Sequence, residues 1–241
     1  MDGFLVHAAF DVLAWFAAGL AGLWLMRSGR VAFAVPQPLR FGYLAALVFG
    51  AGVGAVVFGT ANLWLSGMSG IARSIEGAVA GGILAIEGYK SINGITLRTG
   101  ARFALPFAVG VAVGRIGCFL SGLDDFTHGT PTTLPWAHDF GDRTPRHPVQ
   151  LYESAAMAAF ALVYLWRILN RDRFWIDQGF YLAVGFYGLQ RFVWEFFKPY
   201  GTLLGPITLF HILSAALLIY AIAMIVMAPK SQGTSHERAF A

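Results

Sequence analysis

The sequence predicts an all-α, polytopic transmembrane bundle of about seven spans, with the N-terminus outside and the C-terminus cytoplasmic. Three observations carry that expectation. The chain of 241 residues is 57% hydrophobic and 12% charged, whereas a soluble domain carries about 25% charged residues and shows far more polar surface to water. Apolar stretches recur at the length of about 20 residues that a helix needs to cross a hydrocarbon core. Lysines and arginines, sorted onto the loops between those stretches, fall mostly on one side.

The stretches run Phe4 to Met26, Phe41 to Leu65, Ile75 to Tyr89, Arg102 to Leu120, Pro148 to Leu169, Gln178 to Phe197 and Pro206 to Met227. The first is too long for the apolar region of a signal peptide and lacks a basic leader and a cleavage site, so it reads as a span. The third is the weakest, being short, interrupted by Gly77, Gly81, Gly82 and Gly88, and charged at Glu76 and Glu87. A tilted or re-entrant segment lining a cavity is its rival reading. One side of this scheme receives Arg27, Arg30, Arg40, Lys90, Arg98, Arg102, Arg167, Arg171, Arg173, Lys230 and Arg238; the other receives Arg73, Arg143, Arg146 and Lys198. The crowded side is cytoplasmic by the positive-inside rule, and an odd number of spans then puts the termini on opposite sides. Seven spans leave room for one integral membrane domain, 1–241, with an external loop at 122–147 and a polar, disordered tail at 229–241. The formal charge of +4 follows from that basic face of a membrane chain and implies no nucleic acid. A single cysteine, Cys118, excludes a disulfide framework or a multi-thiol metal site within one chain.

Two arginines remain inside spans, Arg115 and Arg191, and burying either costs on the order of 3 kcal/mol even on lenient insertion scales. In one reading Arg191 pairs with Glu195 at i+4 and Arg115 snorkels to the outer interface. In the other, both guanidiniums converge near the outer leaflet on an anion, their forked donors matching a phosphate ester. Glu76 is a candidate general base, since burial would raise its affinity for a proton; pairing with Arg73 or a buried arginine is the alternative. Asp11 pairs with an interior arginine or sits beside His7, and the sequence does not choose. Cys118 reads as a small packing residue, because no activating base is close in sequence. His128, His138 and His147, with Asp139 and Asp142, show no metal-ligand spacing and read as a solvated loop.

At these residues the sequence resembles the bacterial prolipoprotein diacylglyceryl transferases. The resemblance rests on Gly114-Arg115-Ile116-Gly117 followed by Phe119 and Gly122, on Leu134-Pro135-Trp136, and on Arg146-His147-Pro148 with Gln150-Leu151-Tyr152-Glu153; Arg191 to Phe197 adds a weaker match. These motifs cover about the second half of the chain, and the first half matches mainly in hydropathy. The resemblance implies a multi-pass enzyme of the bacterial plasma (inner) membrane with its site toward the outer leaflet. Its partners would be the bilayer, phosphatidylglycerol, and the lipobox cysteine of a pre-lipoprotein signal peptide, whose thiol receives the diacylglyceryl group as glycerol phosphate leaves. Arg115 and Arg191 then correspond to essential arginines, Gly129 to a loop glycine at the lipid phosphate, and Glu153 and Glu195 to carboxylates that orient the arginines, with His147 and Tyr152 in support. Four positions depart from the family pattern: Cys118 stands for an asparagine, Glu76 for a histidine, Phe16 for a tyrosine and Leu123 for an acidic residue.

On that reading a thiolate attacks the glycerol C3 carbon, Arg115 and Arg191 stabilise charge building on the phosphate, and Glu76 takes the thiol proton. No metal or organic cofactor is expected. The alternatives are a paralogous lipid-modifying enzyme with another acceptor, and a non-catalytic phospholipid-binding membrane protein or transporter that keeps the arginines to hold a headgroup.

Overall fold

The structure, a computed structural model, describes residues 3–228; the tail expected from 229 to 241 lies outside the described residues. Among these are seven α-helices: α1 (Gly3–Ser28), α2 (Arg40–Leu65), α3 (Ile75–Ile92), α4 (Ala104–Leu120), α5 (Val149–Leu169), α6 (Arg173–Glu195) and α7 (Leu209–Val226). Two short antiparallel pairs sit in the loops, β1 (His138–Asp139) with β2 (Pro145–Arg146) and β3 (Thr202–Leu204) with β4 (Ile207–Thr208).

Every apolar stretch becomes a helix, and the ends move for local reasons. Helix α6 starts at Arg173 rather than Gln178 because the Asp172 side chain accepts from Trp175 N and caps it, a signal that hydropathy does not weigh. The last stretch begins at Leu209 because Thr208 and His211 form a capping box, leaving Pro206 in the preceding hairpin turn. Helix α3 is continuous from Ile75 to Ile92, about 27 Å at 1.5 Å per residue, with no break of the kind a re-entrant segment has.

Five helices are long and apolar enough to cross a membrane: α1, α2, α4, α5 and α7. The other two carry more charged residues than any of those five, Glu76, Glu87 and Lys90 in α3, and Arg173, Asp177, Arg191 and Glu195 in α6. Their surroundings compensate. Glycines on α2 and α3 bring these helices into backbone contact, since a Cβ at Gly54 or Gly81 would run into the facing helix, the close approach that small residues permit in membrane bundles. Helix α6 packs on α4, α5 and α7, burying Ala183, Val184 and Tyr187 in a core with Ala108, Val111, Met157 and Tyr164. The outward faces of α1 and α2 are the reverse: Trp15, Phe16, Val48 and Phe49 are all exposed, an apolar surface a water-soluble protein would have to cover.

Successive helices alternate in direction, so their ends gather at two poles. At one pole the loops are basic and tied together: Arg102 Nε donates to Val31 O (3.1 Å), Arg40 Nε to Val35 O (3.1 Å), and Arg98 to Gln178 Oε1 and Met224 O. The other pole holds the start of α3, α5 and α7, the end of α4 and α6, and the 122–147 loop.

Candidate functional site

At that second pole five helices deliver charged or polar side chains to one point. Ser74 caps α3 by accepting from Gly77 N, which fixes Glu76 in the first turn. Glu153 lies in the first turns of α5, Arg115 near the end of α4, and Arg191 and Glu195 in the last turns of α6. Glu76 and Glu153 near helix starts, and the two arginines near helix ends, suit the partial charges of those termini.

The groups are deeply buried: Glu153 is 0% exposed, Glu76 and Glu195 1%, Arg191 2%, Lys198 5% and Arg115 6%. Glu153 is the hub. Its Oε1 meets Arg191 Nη1 at 2.7 Å and Lys198 Nζ at 2.8 Å, and its Oε2 meets Arg115 Nε at 2.5 Å. Each of the three Arg191 nitrogens has a carboxylate partner, Nε at Glu76 Oε2 (3.3 Å), Nη2 at Glu195 Oε2 (2.8 Å) and Nη1 at Glu153 Oε1. The remaining carboxylate oxygens are met by hydroxyls, Ser214 donating to Glu76 Oε1 (2.5 Å) and Thr208 to Glu195 Oε1 (2.8 Å). Three carboxylates thus balance Arg115, Arg191 and Lys198, which is how a buried cluster of charges offsets its desolvation.

Arg115 differs from Arg191. Its Nη1 approaches Cys118 Sγ at 3.9 Å, and neither of its terminal nitrogens donates to a carboxylate among the described residues. Nη2 of Arg115 therefore has no carboxylate partner among the described residues, and Nη1 has only the long contact to Cys118. Lys198, just past α6, is the third cation; burial pulls its ammonium down from an ordinary 10.5 to about 8, with Glu153 opposing.

The structure brings Arg115, Arg191, Glu76, Glu153 and Glu195 together. Both oxygens of Glu76 are occupied, so as placed it is the counter-ion of Arg191 rather than a group open to a thiol. Arg191 forms the expected pair with Glu195 but carries two further carboxylates, and Arg115 is buried against Glu153 rather than snorkelling. Gly129 is buried against the chain at His147, where a Cβ would meet the His147 carbonyl. That packing seats the 122–147 loop on the pole, with Thr130 N donating to Phe197 O (2.7 Å) and His147 N to Thr130 O (3.0 Å). His147 packs edge-to-face against Phe197 and lies 3.4 Å from the Tyr152 hydroxyl, which accepts from Trp136 Nε1. Phe16 is exposed on the outer face of α1, away from this cluster. His128 and His138 pack on Phe126, Phe119 and Phe140.

Sequence reasoning missed Lys198, Ser214 and Thr208, and it missed the base near Cys118. Lys198 was readable from the i, i+4, i+7 run Arg191, Glu195, Lys198, a single stripe on one helix face. The hydroxyls and His7, which comes from α1 to lie 3.8 Å from Cys118 Sγ, left no local signal. Asp11 pairs with His7 at 3.2 Å, which decides between its two expected partners.

Below Glu76 an apolar cavity of about 240 Å³ runs along α3 past Ile75, Val79, Ile83 and Ile86 toward Tyr43 and Phe103. From Ile75 to Ile86 it follows the helix for about 16 Å. A knot of buried charge at one pole and an apolar cavity along α3, in a bundle with helices of membrane-spanning length, define a helical membrane protein with an ionised site at one end of the bundle. The profile of the prolipoprotein diacylglyceryl transferases matches residues 7–227, and the chain belongs to that family of enzymes. Proteins described as phosphatidylglycerol–prolipoprotein diacylglyceryl transferases are similar to it. The one from Vibrio vulnificus strain YJ016 is 32% identical over 80% of this chain and 74% of its own length. That from Methylococcus capsulatus is 28% identical over 88% of each. The one from Geobacter sulfurreducens is 32% identical over 68% of this chain, a match that spans 63% of the relative's length.

Proposed function

We propose that this chain moves the diacylglyceryl group of phosphatidylglycerol onto the lipobox cysteine thiol of a prolipoprotein, at a site facing the outer leaflet of a bacterial inner membrane. The observation that carries this reading is the contrast between the two buried arginines. Arg191 has a carboxylate on each of its three nitrogens and serves as the centre that orders the site. Arg115 keeps its terminal donors for the lipid phosphate, with the apolar cavity under Glu76 available to the acyl chains.

In the reaction the acceptor sulfur attacks C3 of the glyceryl unit, the C3–O bond breaks, and its electrons leave with glycerol phosphate. Charge grows on the phosphate oxygens during that step, and preorganised donors at that position contribute most to the rate. Arg115 supplies them; Glu153 fixes its orientation, and Lys198 adds positive charge behind the same carboxylate. Glu76 could take the thiol proton only by releasing Ser214 or Arg191. Gly129 holds the loop that covers the pole, where a signal peptide would pass His147 and Tyr152.

All seven helices cross the bilayer in this proposal, with the N-terminus outside. The basic loops at the pole opposite the charged knot support that orientation, and the pairing of every buried charge in α3 and α6 supports their crossing. A second reading changes only the acceptor, and Cys118 and Glu76 at positions where the family carries asparagine and histidine favour it. Liposomes holding the protein and phosphatidylglycerol, supplied with a lipobox peptide, separate the two. Glycerol phosphate released in step with peptide modification supports the first reading. Release with an unmodified peptide supports the second, and no release from any acceptor removes both.

A further inference from the structure

Beside the charged knot, three side chains from separate segments converge: His7 from α1, Cys118 from the end of α4, and Asp125 from the turn that follows. Their ligand atoms all lie within 4.8 Å of one another. His7 Nε2 is 3.0 Å from Asp125 Oδ1 and 3.8 Å from Cys118 Sγ. Around a tetrahedral zinc ion with bonds of about 2.0–2.3 Å, ligand atoms sit about 3.3–3.8 Å apart, so the two His7 pairs are already near that spacing and the Cys118–Asp125 pair comes within it on a movement of at most about 1 Å.

Each member is held for this geometry. Gly117, where a Cβ would run into Phe10, lets α1 approach α4 closely enough for His7 to reach Cys118. The other ring nitrogen of His7, Nδ1, is 3.2 Å from Asp11 Oδ2, the carboxylate–histidine pairing that fixes a tautomer and aims the second nitrogen at a metal. Asp125 Oδ2 accepts from Thr127 Oγ1 (2.5 Å), leaving Oδ1 for the shared point. Cys118 is 6% exposed, with its Sγ 3.9 Å from Arg115 Nη1. A single Nε2–H cannot serve both Asp125 and Cys118, whereas one cation accepts all three.

We infer that His7, Cys118 and Asp125 bind a divalent zinc-like metal ion whose open fourth position receives the acceptor thiol. Three protein ligands with one open position are the pattern of catalytic rather than structural zinc sites, and a thiol that coordinates such an ion is deprotonated outright. The inference rests on the transfer reading above and supplies what that site lacks, since both oxygens of Glu76 are occupied. On coordination the acceptor thiol gives its proton to water. Its sulfur then forms the S–C3 bond as the C3–O bond breaks, and the electron pair leaves on glycerol phosphate held by Arg115. The ion changes no oxidation state, and Cys118, one turn from Arg115, places the bound sulfur next to the phosphate.

The test uses the full-length protein in detergent, stripped by chelator and titrated with cobalt(II) and then zinc. One tightly held equivalent per chain is expected, with a thiolate-to-cobalt charge-transfer band that zinc displaces. Cys118→Ser should lose the band, His7→Gln should lose the bound equivalent, and Asp11→Asn should weaken affinity about 10–100-fold, each in protein that still elutes as the wild type does. A lipobox peptide should intensify the band, and the same peptide with alanine for its cysteine should not. No retained metal, or equal retention by the His7 and Cys118 variants, overturns the site. Metal that binds without any response to the cysteine peptide overturns its role toward the acceptor. A cysteine-dependent cobalt response in a protein that consumes no phosphatidylglycerol leaves the metal site standing and sinks the transfer reading instead.

Discussion

Replacing Glu153 by glutamine tests the charged knot at its hub. The side chain keeps its shape, but Arg115 Nε, Arg191 Nη1 and Lys198 Nζ, at 2.5, 2.7 and 2.8 Å, lose their common anion, and a neutral buried cluster acquires one net positive charge. Removing one partner of a buried pair costs about 3–5 kcal/mol because the other is left uncompensated. At about 2–4 °C per kcal/mol for a globular chain of 150–250 residues, the expected drop in Tm is about 6–20 °C, read by thermal unfolding in detergent. Adding Lys198→Met restores neutrality, so the double variant should recover stability, with a coupling of about 0.5–3 kcal/mol. Raising the pH should also narrow the gap. Burial brings Lys198 down to about 8 with Glu153 opposing; without that carboxylate it gives up its proton at still lower pH, so the excess charge of the Glu153→Gln protein is lost as pH rises. A Glu153→Gln protein that melts within about 2 °C of wild type, less than 1 kcal/mol on that scale, would refute the hub, as would a double variant that melts lower than the single by the full Lys198→Met effect.

Three further outcomes follow from the same contacts. Glu76→Gln keeps the Ser214 contact but loses the Arg191 ion pair, so stability should fall by about 1.5–3 kcal/mol while transfer changes less than tenfold; a loss of about 10²-fold or more would restore it as the general base. With Lys198 losing its charge as pH rises through about 8, kcat/KM should fall over that range, and Lys198→Arg, which stays charged, should flatten the decline; an identical profile would take Lys198 out of the phosphate field. Gly129→Ala places a Cβ against the His147 carbonyl and should lower Tm by about 2–12 °C, from an overpacking cost of about 1–3 kcal/mol, together with activity; unchanged values would show that the loop is not seated there.

The helices were legible because membrane length and hydropathy act on whole segments, and each expected stretch from Phe4 to Met227 lies on one of the seven helices. Their ends depended on caps such as Asp172 and Thr208, which a hydropathy window averages away. The buried arginines and glutamates stood out against an apolar background, so Arg115, Arg191, Glu153 and Glu195 could be named as a group. Which carboxylate meets which guanidinium was not legible, since Glu76 reaches Arg191 across 115 residues of sequence. The same is true of His7 and Cys118, separated by 111 residues. Lys198 falls in an external loop by hydropathy, one residue past the stretch that ends at Phe197, yet the turn after Glu195 folds it back onto Glu153.

The central claim is that Arg115 holds the phosphate of the reacting lipid while Arg191 only organises the site. The most direct measurement is the mass of a lipobox peptide after incubation with phosphatidylglycerol liposomes carrying wild-type protein or Arg115→Lys, matched for insertion and Tm. Lysine keeps the charge and loses the forked donors. The account predicts a diacylglyceryl mass shift with the wild type and a loss of about 10²–10³-fold in rate with Arg115→Lys, the effect of removing one oxyanion donor. Near-normal transfer by that variant would contradict it.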